Sequence, residues 1–147
     1  MADLRETILA RLLVVAKAIP GVETCERNLD DIGDAALPAI ILFDGDEEAS
    51  ENMKARGLAP NTVEMFPSFE IHYGDAPENV GTTANEWRAK LIKAILSDAA
   101  LATSCGNIPN AGARYVRTTT GLSAGRNALA RQTVEFGIHY SFKPSAL

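Results

Sequence analysis

The chain is poor in the features that most often announce a chemistry. Of its 147 residues, two are cysteines and two are histidines. Cys25 and Cys105 lie far apart with no C-x-x-C spacing, which excludes a zinc knuckle and argues against a disulfide framework. Both read as buried thiols. No apolar run approaches the ~20 residues that cross a bilayer. The start, Met1-Ala2-Asp3-Leu4-Arg5-Glu6, carries both signs of charge and no cleavage site after an apolar stretch, so a soluble, unexported protein is expected. There is no P-loop and no dinucleotide fingerprint. Bases are scarce too: 14 Lys and Arg against 19 Asp and Glu leave a net charge of −5. That is the wrong sign for a surface that grips nucleic acid through its phosphates.

Hydrophobic residues, at 46% of the chain, suffice for one core, and the length leaves no room for a second full domain. A single domain over 1–147 is therefore expected. Asp3 followed by Glu6, then Leu4, Ile8, Leu12, Val15 and Ile19, predicts a capped helix to about Ala18, stopped by Pro20-Gly21. Val22 to Asn28 is a short candidate strand. Leu37 to Phe43 is nearly all apolar and reads as a strand buried on both faces. Thr62 to Tyr73 alternates around an interruption at Pro67. Thr83 with Glu86, followed by Trp87, Leu91, Ile92, Ile95 and Leu96, predicts a second capped amphipathic helix. Tyr115 to Thr119 favours extended structure. Val134, Phe136, Ile138, Tyr140 and Phe142 alternate strictly with polar or small residues, the clearest strand signal in the chain. The order predicts an α+β domain with two main helices on one face of a mixed or mostly antiparallel sheet.

Charge is unevenly distributed. Asp44 to Glu51 holds five acids and no base, whereas Ala99 to Val134 holds Arg114, Arg117, Arg126 and Arg131 and no acid. Two mobile loops are expected around these segments, about 44–61 and 117–131. The run Asp44-Gly45-Asp46-Glu47-Glu48 begins like a calcium loop, but the sixth and twelfth positions are Ala49 and Ala55 where an EF-hand needs Gly and Glu. No metal and no cofactor is expected. His72 and His139 each sit in an Ile-His-Tyr tripeptide within an alternating strand, so both point away from the core. They lack a nucleophile and a third ligand. Gly121-Leu122-Ser123-Ala124-Gly125 has the spacing of a nucleophile elbow without the strand and helix that position one. A non-enzymatic protein is expected.

In their order and spacing, the capped first helix ending in Ile19-Pro20-Gly21-Val22-Glu23, then Glu26-Arg27-Asn28, Leu37-Pro38-Ala39-Ile40, Phe43-Asp44-Gly45-Asp46-Glu47, the Trp87 helix and the final aromatic strand resemble the tail terminator proteins of long, non-contractile phage tails. The resemblance implies a structural virion protein with no active site, assembled in the host cytoplasm. Such a protein closes into a ring, expected to be a hexamer, on the head-proximal end of the tail tube. There it ends tail polymerisation and presents a surface for head attachment. Its partners would be itself, the tail tube protein and a head–tail connector, with DNA only passing through the lumen and no membrane involved. A head-to-tail ring needs two different surfaces. Asp44, Asp46, Glu47 and Glu48 on one side and Arg117, Arg126 and Arg131 on the other are the candidates. The alternatives are another head–tail joining protein of the neck or, in a different class, a small enzyme or ligand-binding domain using His72, His139 and the Asp44–Glu48 acids.

Overall fold

Asp3 opens helix α1 (Leu4–Lys17) by accepting a hydrogen bond from the Arg5 amide at 3.1 Å, which satisfies one of the donors a helix start leaves free. The computed structural model describes residues 3–49, 56–123 and 128–147. Ile8, Leu9, Leu12, Val15 and Ala16 form the buried stripe of α1. Gly21, at φ +91°, turns the chain beside Trp87, whose ring lies 3.1 Å from where a Cβ would stand. Three strands follow: β1 (Thr24–Arg27), β2 (Ala39–Phe43) and β3 (Glu47–Ala49).

Next come β4 (Asn61–Met65), β5 (Ser68–Asp75), helices α2 (Pro77–Leu96) and α3 (Ala99–Ser104), and finally β6 (Gly112–Ser123) and β7 (Ala128–Phe142). Together they make an α+β domain with a seven-stranded sheet. Among the described residues, only β1 and β2 run parallel; every other pair is antiparallel. Strand β7, 15 residues long, is the hub. One of its sides pairs with β6, and the other pairs with β5 and then β4 in one register, from Asp75↔Ala128 through Ser68↔Glu135 to Asn61↔Phe142. Strands β4 and β5 are thus one long strand broken at Phe66-Pro67. The break removes an amide donor, yet the Pro67 carbonyl still accepts from Phe136 at 3.0 Å. Strands β2 and β3 run beside them with a matching break at Gly45.

The buried side chains of α1, α2 and α3 meet one sheet face at Ile40, Leu42, Val63, Met65, Phe69, Ile71, Val134, Phe136, Ile138 and Tyr140. Phe69 and Phe136 cross edge to face at 5.9 Å.

Three sequence expectations need correction. Helix α2 begins at Pro77, not Thr83, and has no capping box; Ala76 is its N-cap, and the Asp75 carboxylate accepts from the Ala76 amide at 2.7 Å. Pro77 is pre-set for the first helical position. Val80 and Ala84 extend the apolar stripe toward Ala128 and Ala130, so packing supports the extra turns. The 44–61 segment is not all loop, because Glu47–Ala49 pairs with β4; residues 50–55 fall outside the described residues. Nor is 117–131 a loop: β6 runs to Ser123 and β7 starts at Ala128, with 124–127 outside the described residues. There, β-branched Thr118-Thr119-Thr120 pairs with β7, so a ladder forms without the apolar alternation that would announce it. Helix α3, capped by Asp98 through the Leu101 amide at 2.9 Å, had no expectation attached to it.

Candidate functional site: a bare sheet face and its two edges

No helix of the described residues packs on the second face of the sheet. Strand alternation and register place Glu26, Glu48, Glu64, Glu70, Glu135, Arg114, Arg117, Arg131 and both histidines on it. Two features of the backbone arrange these charges. The first is a β-bulge between Tyr115 and Arg117. In a regular strand Arg114 and Arg117 would face opposite ways; the extra residue puts both on the bare face. It also turns both Tyr115 and Thr118 toward α2. There Arg88 donates to the Thr118 hydroxyl at 2.9 Å and the Tyr115 hydroxyl at 3.2 Å, with its guanidinium 5.4 Å from the Tyr115 ring centroid. The Thr118 and Arg88 hydrogen bonds hold the Tyr115 phenol below its ordinary pKa.

The second feature is Gly137. Arg114 reaches across β7 to Glu64, with bonds of 3.0 and 3.1 Å, and passes over the bare Cα of Gly137. A Cβ there would stand 2.9 Å from the Glu64 carboxylate and 3.0 Å from Arg114. Arg117 pairs with Glu135 at 3.1 Å, its side chain still 70% exposed.

Of the acids expected at an interface, Asp44 is engaged within its own chain. Arg27 holds it from Nε and Nη2 at 2.7 and 2.8 Å, and holds Glu6 of α1 from Nη1 and the shared Nη2 at 2.6 and 2.9 Å. Bonding to Arg27 keeps both carboxyls below their ordinary range and raises the guanidinium. Glu47 turns to the helix side, where it accepts from the Tyr140 hydroxyl and lies 3.9 Å from Arg5. Partial burial pushes its carboxyl upward. Asp46 and Glu48 are exposed. Among the arginines, Arg117 and Arg131 are exposed on or beside the bare face, and Arg126 lies outside the described residues.

The two histidines are not brought together. His72 faces Arg131 across β5 and β7, while His139 sits eight residues further along β7, opposite Glu64, roughly 26 Å away at the usual rise of a strand. His72 contacts Glu70 at 3.0 Å, and His139 contacts the Asn110 carbonyl at 3.2 Å. Among the described residues no three His, Cys, Asp or Glu side chains converge as a metal site would require. Cys105 is buried; Cys25 is half-buried, and burial pushes its thiol up to about 11.

Sequence reading missed three residues that shape this surface. Arg27 gave a signal only as part of a tripeptide, Gly137 was one more small residue in an alternating strand, and Arg88 carried no expectation. Compared with known protein families and with curated proteins, the chain finds no match in either.

Proposed function

We propose that this chain is a structural ring protein that caps a phage tail tube at its head-proximal end, the function implied by its likeness to tail terminators. The observation that carries the reading is the bare sheet face. One layer of helices covers one side of a long sheet, and the other side presents polar and charged groups with no helix over it. Ala39 and Ile41 of β2 are fully buried on this face, and the charged part lies along β4, β7 and β6; such a strip suits the wall of a lumen. The acids Glu26, Glu48, Glu64, Glu70 and Glu135 outnumber the bases Arg114, Arg117 and Arg131 on that face, and Arg114 and Arg117 are already tied to Glu64 and Glu135. Such a surface lets DNA slide past without capture. The ring would be a homo-oligomer, a hexamer by the resemblance, docked on the tail tube protein below and a connector above.

The test is to assemble tail tubes with and without the purified protein and to image them by negative stain with a gold-labelled antibody. Tubes of uniform length, labelled at the end that meets the head, support the proposal. Tubes of unchanged length distribution without end label overturn it.

A further inference from the structure

We propose that the groove between α1 and α2 is a docking site for an acidic amphipathic helix of another protein. It lies on the helix side of the sheet, away from the face on which the tube-capping reading rests. The groove has a volume of about 680 Å³. Val14, Val15, Ala18, Ile19 and Pro20, from the end of α1 and the turn after it, line it together with Ala94 of α2, and give it an apolar floor. Val14 is 52% exposed and lies off the stripe that α1 buries on the sheet. A β-branched side chain in the open does little for the helix that carries it. Here it belongs to a continuous apolar strip, of the kind that marks a contact made to something outside the chain.

Charge and spacing identify the occupant. The charged residues on the groove are Arg11, Lys90, Lys93 and Asp98. Arg11 and Asp98 are spent on each other through bonds of 2.8 and 2.7 Å, and Asp98 also caps α3. That leaves two ammonium groups uncompensated. Lys90 rests over the Trp87 ring and uses none of its N–H donors in a hydrogen bond, and the Lys93 ammonium has no partner among the described residues. A chain with a net charge of −5 thus sets two unpaired cations beside an apolar groove, which is complementary to an anionic amphiphile. Three residues apart on α2, the two lysines share a face and stand about 4.5 Å apart along its axis. A lipid offers a single headgroup, whereas a helix presents carboxylates at that same one-turn spacing beside its apolar stripe, and a third helix fits the groove between two. A second copy of this chain supplies no such helix. Its α1, α2 and α3 already bury their apolar sides in the core, and groove against groove would set lysine against lysine.

The experiment uses the full chain and a fluorescein-labelled amphipathic peptide of about four helical turns, with leucines in one stripe and glutamates beside them. Binding is read by anisotropy and by the emission of Trp87, the sole tryptophan, which lies beneath Lys90. The parent should bind this peptide at least about tenfold more tightly than one carrying lysine in place of glutamate. Val14→Asp changes an exposed side chain, so it should melt within a few degrees of the parent while losing binding by about tenfold. Lys93→Glu should reverse the preference, weakening the glutamate peptide and strengthening the lysine one, which a merely unfolded variant could not do. No binding by the parent, equal binding of the two peptides, or binding unchanged in both variants overturns the proposal. So does saturable binding of dodecanoate that displaces the peptide, which makes the groove a lipid site. Self-association of the parent that Val14→Asp abolishes overturns it too, since the occupant is then a second copy. None of these outcomes bears on the tail-tube assay, so helix docking and tube capping can fail separately.

Discussion

Arg27 shows how much of this molecule's electrostatics is spent internally. It clamps β1 to the β2–β3 turn through Asp44 and to α1 through Glu6. Arg11 and Asp98 do the same between α1 and the start of α3, with bonds of 2.8 and 2.7 Å. Asp44, Glu6 and Asp98 all have folded pKa values below their ordinary 3.8 to 4.5. Their stabilisation is therefore fully present above those ordinary values and lost as pH falls through the depressed ones. Glu47 has the opposite sign: its raised pKa favours the protonated folded form and adds stability as pH falls. Three groups against one predict a melting temperature that declines below about pH 4. Asp44→Asn should lower it at neutral pH and converge on the parent in acid, as thermal melts across that range would show. A gap that persists in acid would mean Asp44 acts through something other than its charge. The sequence showed the Arg-rich and acid-rich stretches but not these pairings. A period-two reading puts Arg114 and Arg117 on opposite faces, and only the bulge puts them together.

At the scale of elements, two positions fix how helices and strands meet. Trp87 of α2 is 7% exposed, packs against the turn at Gly21 and lies under the Lys90 ammonium, 4.6 Å from its ring centroid. Trp87→Ala should cost roughly 3–5 kcal/mol and leave a protein that melts far below the parent or fails to fold. A loss of only a degree or two would mean the surroundings collapse into the space. Gly45 sits where the β2/β3 and β4/β5 lines break together. Its φ is +71°, and a Cβ there would fall 2.0 Å from the Phe66 carbonyl oxygen. Left-handed strain alone costs about 1–2 kcal/mol for a residue with a side chain. The clash is with backbone that cannot swing aside, so Gly45→Ala should destabilise by more than that and loosen β3, measurable as lowered chemical-denaturation midpoint and faster exchange at Glu47–Ala49. Periodicity made α1, β2, β7 and most of α2 readable because each lays an apolar stripe on the core. The first turns of α2, all of α3 and the outer half of β6 escaped: small residues packing on Ala128 and Ala130 hold the first, and short length and cross-strand pairing hid the others.

The whole molecule is a sheet with helices on one side, and the fold class followed from the order of apolar patterns alone. What patterns could not show is that β4 with β5, and β2 with β3, each act as one interrupted strand beside a single long hub. That hub sets the order of events during synthesis. Strands β4, β5 and β6 all pair with β7, which leaves the ribosome after every one of them. Until Phe142 has emerged β4 and β5 each lack a partner on the side that β7 will fill, β6 has none, and the pairings of β4 and β5 that close the sheet span much of the chain. Completion of the sheet is consequently a late event, even though the β1–β2–β5 and β3–β4 pairings involve only residues that precede β7. A cell making it in quantity must keep the unfinished strands from finding one another first.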